Sequence, residues 1–158
     1  MTVDLTKIDI LTRREIEARI AAPLIKGFME ELGREKTLQI TEGVIRGLAR
    51  ESGVQLARMM GGDTIADFAQ GLGLWTKDDA LIVEVLEQTD RKYSFNVTRC
   101  RYAEMYREIG MLEFGSLLSC RRDFEMIEGF NPKMKLTRTQ TIMEGKGYCD
   151  FRITITEV

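Results

Sequence analysis

A chain of 158 residues with 44% hydrophobic and 30% charged residues is long enough to bury about two thirds of its unfolded surface around one core, which excludes disordered, collagen-like and disulfide-scaffold classes. Its 23 Lys plus Arg against 25 Asp plus Glu give a net charge of −2, so nucleic acid is not an expected partner. Histidine is absent, which removes Ser-His-Asp and Cys-His catalysis, HExxH zinc sites and an imidazole pH switch, and leaves Cys, Asp, Glu, Arg, Lys, Tyr or a borrowed metal to carry any chemistry.

The N-terminal MTVDLTKIDILTRREIE has no apolar core followed by a small-residue cleavage site, and no run approaches the roughly eighteen apolar residues a membrane crossing needs. The expected location is cytoplasmic, away from membranes, and the three cysteines are expected as reduced thiols. Thr12 and Glu15 read as a capping box for a first helix over about 13–32, with Ile16, Ile20, Leu24 and Phe28 at helical spacing and a kink at Pro23. A second helix is predicted over about 35–60, bent at Gly53 and ended by Gly61-Gly62. Asp63 or Thr64 caps a short third helix, TIADFAQGL, and Trp75 comes next in a Gly-rich loop as a packing residue.

From Ala80 the period changes to alternation: LIVEVLEQ and YSFNVTR, separated by Thr89-Asp90-Arg91-Lys92, read as a β-hairpin. Helical spacing returns at 101–109 and 113–128, the latter with Leu117, Cys120, Phe124 and Ile127 in one stripe and Gly129-Phe130-Asn131-Pro132 as its turn. KMKLTRTQTIM and YCDFRITIT then form a second hairpin around Glu144–Gly147. A four-residue loop pairs 142 with 149, 140 with 151, 138 with 153 and 136 with 155. Leu136, Arg138, Gln140, Ile142, Cys149, Phe151, Ile153 and Ile155 then share the core face. The whole is one α+β domain over 1–158: N-terminal helices packed on a four-stranded antiparallel sheet of two hairpins, with helices inserted between them.

Arg138 and Gln140 on an apolar face require partners, because unpaired burial costs several kcal/mol. Two partners are open: an internal carboxylate such as Asp123, or a carboxylate or amide of a ligand. Residues 91–152 carry 12 Lys plus Arg and 8 Asp plus Glu, a local excess that suits a small anionic ligand and equally suits a solvated surface.

Cys100, Cys120 and Cys149 contain no CxxC spacing, so the zinc-finger signature is missing and packing is the ordinary role for each. Cys120 is the strongest exception, since Arg121 and Arg122 come directly after it and Asp123 lies one helical turn on, where a guanidinium stabilises a thiolate and a carboxylate manages protons. Asp123 is the preferred base over Glu144 and Asp150. The candidate catalytic set is Cys120, Asp123 and Cys149. The candidate substrate-binding set is Arg138, Gln140, Arg99 and Asn131. No metal ligand set is assigned; a divalent ion held by a Cys/Asp cluster is the open alternative for activating water.

The segments FNVTRCRYAEMYREIG, LLSCRRDFEMIEGFNP and KLTRTQTIMEGKGYCDFRI resemble the L-2-amino-thiazoline-4-carboxylic acid hydrolase family, and the resemblance runs from RREIEARIAAPL to the C-terminus. It implies a hydrolase that opens a five-membered cyclic isothiourea bearing a carboxylate, giving an N-carbamoyl amino acid. The chain is more distantly similar to four-vinyl-reductase-type small-molecule-binding domains through Gly145, Cys149 and Phe151. Where such domains have a Glu-x-x-Cys before that glycine, Arg138 and Thr141 stand here, which speaks against their zinc. The similarity implies a ligand cavity between helices and sheet. The expected partner is a small anionic substrate, with a homo-oligomer left open, and the alternative function is a non-enzymatic sensor using the same cavity.

Overall fold

The first helix, α1 (Ile10–Leu32), starts two residues before the predicted cap. Asp9 is the N-cap, its carboxylate accepting from the Thr12 backbone N–H at 2.8 Å and from the Thr12 hydroxyl at 2.7 Å. The structure, a computed structural model, describes residues 7–156. Pro23 lies inside α1, and Gly33, with φ of 84°, turns the chain into α2 (Arg34–Met60). Thr64 and Asp67 form a reciprocal capping box that opens α3 (Ile65–Gly71), and one turn, α4 (Gly73–Thr76), carries Trp75.

The strands are β1 (Leu81–Gln88), β2 (Lys92–Cys100), β3 (Met134–Thr137) and β4 (Cys149–Ile155), in the antiparallel order β1-β2-β4-β3. Two hairpins are therefore joined side by side through β2 and β4. Between them run α5 (Arg101–Glu108), the single turn α6 (Leu112–Gly115), a π-helical turn at Ser116–Cys120, and α7 (Arg122–Phe130). Tyr93, Phe95 and Val97 alternate inward along β2 with Cys149 and Ile153 of β4, and meet Leu56, Phe68, Met126 and Phe130 from the helices. A second core joins α1 to α5 and α6 through Ala18, Ala22, Tyr102, Tyr106 and Phe114.

Gly53 and Gly129 let the backbones of α2 and α7 touch: a Cβ on Gly53 would lie 2.0 Å from the Met126 carbonyl oxygen, and one on Gly129 would lie 2.1 Å from that of Arg50. Two expectations are corrected. The helix expected at 113–128 is interrupted, because Arg121 donates its N–H to the Ser116 carbonyl at 2.9 Å. This widened turn rotates the start of α7, so that Phe124 is exposed and Asp123 faces inward. The last hairpin pairs Leu136 with Ile153 and Met134 with Ile155, two residues from the predicted register. A two-residue slip keeps the inward face. β3 stops at Thr137 because the Asp150 carboxylate takes the backbone N–H groups of Thr139 and Gln140, each at 2.9 Å. The chain then closes through a one-turn helix at Ile142–Glu144 capped by Thr141.

The apolar series of α1 is also placed differently: Ile16, Ile20, Leu24, Phe28 and Leu32 are each about half exposed, while Ile10, Ala18, Ala22 and Ile25 form the buried side.

Candidate functional site

Where the two cores meet, a cavity of about 90 Å³ remains, walled by Trp75, Leu81, Cys100, Tyr102, Met126 and Met143, with Arg14, Ser119, Cys120, Arg122 and Asp123 as its polar lining. This is several times the roughly 10–15 Å³ that a single water needs. Four of the elements around it supply the side chains that matter for chemistry. Arg14 comes from α1, Tyr102 from α5, Cys120 from the π-helical turn, and Arg122 and Asp123 from the first turn of α7.

Asp123 and Arg138 form the central ion pair. Arg138 Nη1 donates to Asp123 Oδ2 at 2.5 Å and Nη2 donates to the Cys120 carbonyl at 2.9 Å, while its guanidinium lies 5.1 Å from the Phe124 ring centre and 5.0 Å from that of Phe151. Arg138 is 6% exposed and Asp123 26%, and Asp123 lines the cavity. Burial raises the carboxyl of Asp123 above the ordinary range, with Arg138 pulling the other way. Of the two partners open to Arg138 in the sequence, the structure has the internal carboxylate.

All three cysteines are free thiols. Burial pushes Cys120 well above its usual value, the nearby Asp123 carboxylate adding to the effect, and pushes Cys100 to about 11. Both thiols are therefore neutral at pH 7. Cys149 is buried beneath the sheet, where its Sγ accepts the Ile142 N–H at 3.2 Å, and burial raises it as well. Cys120 and Asp123 thus share the cavity wall; Cys149 is not part of its lining.

The other substrate-binding candidates stand apart from it. Gln140 donates its side-chain amide to the Tyr148 carbonyl at 3.1 Å. Asn131 donates to the Asp63 carbonyl at 2.9 Å and accepts the Lys133 N–H at 2.8 Å, tying the α7–β3 turn to α3. Arg99 pairs with Glu104 at 2.8 Å on an open, charged surface groove. Sequence reading missed Arg14 and Arg122 as lining residues. Arg122 is half buried, and burial, with the Arg14 guanidinium nearby, pulls it down to about 10. The signal in the sequence was the RRD triplet after Cys120, but the π-helical turn decides which of the three faces inward.

Among the described residues, no group of three or more Cys, Asp or Glu is placed to hold a metal ion, and no helix is long and apolar enough to cross a membrane.

Comparison with known proteins places the chain among relatives. The family model described as L-2-amino-thiazoline-4-carboxylic acid hydrolase matches residues 13–153. Among solved structures, the fold is similar to the phenol-responsive sensory domain of the transcription activator PoxR with phenol, at 15% identity and TM-score 0.56, covering 84% of this chain and 71% of that one. It is also similar to a trafficking protein particle complex subunit 3 from Naegleria fowleri covalently bound to palmitic acid, at 10% identity and TM-score 0.56, covering 92% and 96%. These identities speak for the fold alone. No curated protein matches the sequence.

Proposed function

The chain belongs to the L-2-amino-thiazoline-4-carboxylic acid hydrolase family, and on that footing we propose that it hydrolyses a small cyclic amidine or isothiourea bearing a carboxylate, of the 2-amino-thiazoline-4-carboxylate type, in the cavity beside Asp123. The observation that carries this reading is a carboxylate held by a buried arginine on the wall of a small, largely apolar cavity.

In this mechanism Asp123 takes a proton from a water as its oxygen bonds to C2, the electron-poor carbon between nitrogen and sulfur. The C2=N electron pair moves onto the amidine nitrogen, which takes up the remaining proton of the new hydroxyl as the carbonyl forms. The C2–S bond breaks, the sulfur takes the first proton back from Asp123, and the former ring nitrogen keeps the carbon as a carbamoyl group. One water is consumed and an N-carbamoyl amino acid with a free thiol leaves. Arg138 orients the base. A raised carboxyl pKa suits this work, because the same group must accept and return a proton near neutrality. Water rather than Cys120 is the nucleophile in this scheme, since burial and the neighbouring Asp123 carboxylate keep the thiol neutral.

The alternative is a sensor that holds its ligand without turnover, favoured by the likeness to a phenol-responsive sensory domain. Incubating the purified chain with 2-amino-thiazoline-4-carboxylate and following N-carbamoyl-cysteine by mass spectrometry separates the two. Product formation supports the hydrolase; saturable binding with no product supports the sensor.

A further inference from the structure

We propose that Arg122, with Arg14 beside it, is the anion anchor of the cavity and grips the carboxylate of the ligand. This deepens the hydrolase reading and rests on it for the ligand's identity. Of the other arginines with buried nitrogens, Arg138 is engaged by Asp123 and the Cys120 carbonyl, Arg152 by the carbonyls of Phe95 and Phe151 and by the Asn96 side chain, and Arg13, whose buried Nε has no partner, lies outside the cavity lining. Arg14 pairs with Glu17 at 2.5 Å. Arg122 is half buried in the cavity wall and makes no hydrogen bond or ion pair among the described residues.

A cation in that position loses hydration without a protein partner to replace it, an arrangement a visiting anion would relieve. The charge balance agrees. Asp123, the acidic residue of the lining, is neutralised by Arg138, and Arg14 is paired with Glu17, so the unpaired Arg122 sets the sign of the field inside. A guanidinium fork fits a carboxylate through two parallel hydrogen bonds. Arg122 and Asp123 are successive residues of α7, about 100° apart on its first turn. A carboxylate held at Arg122 is thereby kept to one side, leaving the ring carbon toward Asp123.

The test is calorimetric titration of the full chain with 2-amino-thiazoline-4-carboxylate and with 2-amino-thiazoline, which lacks the carboxylate. Arg122→Gln should weaken binding of the acid by about ten- to a hundredfold and leave the neutral ring unchanged, with Arg122→Lys in between. The melting temperature of each variant serves as the folding control, and Arg14→Gln, expected to weaken acid binding in the same sense, replaces any variant that fails it. Equal affinity of wild type and Arg122→Gln for the acid, equal loss for both probes, or no binding of the acid to wild type would each overturn the anchor. Tight, Arg122-dependent binding without product would leave the anchor standing and reject the hydrolase.

The outer side of the α1–α2 pair carries a second, independent feature. Thr37 donates its hydroxyl to the Phe28 carbonyl at 3.0 Å, which fixes the two helices as an antiparallel pair. At 100° per residue, Ile20, Leu24 and Phe28 of α1 and Ile40, Val44 and Leu48 of α2 then lie on the side away from the buried Ala22, Ala49 and Leu56. Together with Ile16 and Leu32 they leave roughly 800 Å² of apolar surface, what each partner contributes to a standard specific interface and more than a monomer's largest patch commonly shows.

We infer that a second copy of this chain covers the face, as a two-fold dimer in which each stripe meets its own copy. Sedimentation of wild type should give the mass of two chains, and the double variant Leu24→Glu, Val44→Glu the mass of one with unchanged circular dichroism. A monomeric wild type, or a variant that still dimerises, would overturn this. A monomer that instead sediments with phosphatidylcholine vesicles would assign the face to a membrane surface.

Discussion

Replacing Arg138 by Gln removes a guanidinium that is 6% exposed, together with its bonds to Asp123 at 2.5 Å and to the Cys120 carbonyl at 2.9 Å. Breaking one side of a buried pair costs about 3–5 kcal/mol, and the cavity exposure of Asp123, 26%, places this pair near the lower end, about 3 kcal/mol. For a chain of this length that lowers Tm by roughly 6–12 °C. The pH dependence is set by the direction of the shift at Asp123. Burial already raises its carboxyl, and Arg138 opposes that rise, so without Arg138 the value goes higher still. Above both folded values the variant carries an unpaired buried carboxylate and shows its full deficit. As pH falls through the variant's value and then the wild type's, the carboxyl becomes neutral and the deficit shrinks. Urea unfolding at pH 8 and pH 4, with the Asp123→Asn and double variants closing a cycle, measures it. A deficit below about 0.5 kcal/mol, or one equal at both pH values, would refute the reasoning.

Four further outcomes are expected. Gly53→Ala would place a methyl 2.0 Å from the Met126 carbonyl oxygen and 2.6 Å from the Phe130 nitrogen, so the loss in a urea melt should be at least about 2 kcal/mol despite the gain in helix propensity. Cys120→Ser should keep most of the hydrolytic rate, because a neutral thiol that only lines the cavity tolerates a similar-sized group; loss of nearly all rate would instead make the thiol a nucleophile. The burial that raises the Glu125 carboxyl is outweighed by bonds from Arg46 and Arg50, and the group ends below its usual 4.5. Its contribution to stability is therefore present above that value and lost as pH falls through the lowered one, and Glu125→Gln should flatten this part of the acid unfolding curve. Turnover should rise with pH through the raised Asp123 value and survive chelation by EDTA, checked by initial rates across pH 4–9.

Elements with a strong period were legible in the sequence: the long helices, the first hairpin and the inward face of the second. Two features were not. The π-helical turn at Ser116–Cys120 leaves the apolar spacing of 117, 120, 124 and 127 intact on paper while turning Phe124 out and Asp123 in. The Asp150 carboxylate replaces ladder partners at Thr139 and Gln140, a side-chain-to-backbone contact that alternation does not encode. The spacing of the large apolar residues of α1 does not say which side is buried: they lie along one helical line and are about half exposed, while the small residues Ala18 and Ala22 take the inner side. At the site, chemistry singled out Cys120, Asp123 and Arg138, whereas the pairing of Arg138 with Asp123 rather than with a ligand depends on a contact across 15 residues of sequence.

The central claim is that Asp123 activates a water against a cyclic amidine in this cavity. Turnover of 2-amino-thiazoline-4-carboxylate in ¹⁸O-water by wild type and by Asp123→Asn tests it most directly. The expected result is one ¹⁸O in the carbamoyl group of the product and a rate at least about a hundredfold lower in the folded variant; undiminished turnover by Asp123→Asn would contradict it.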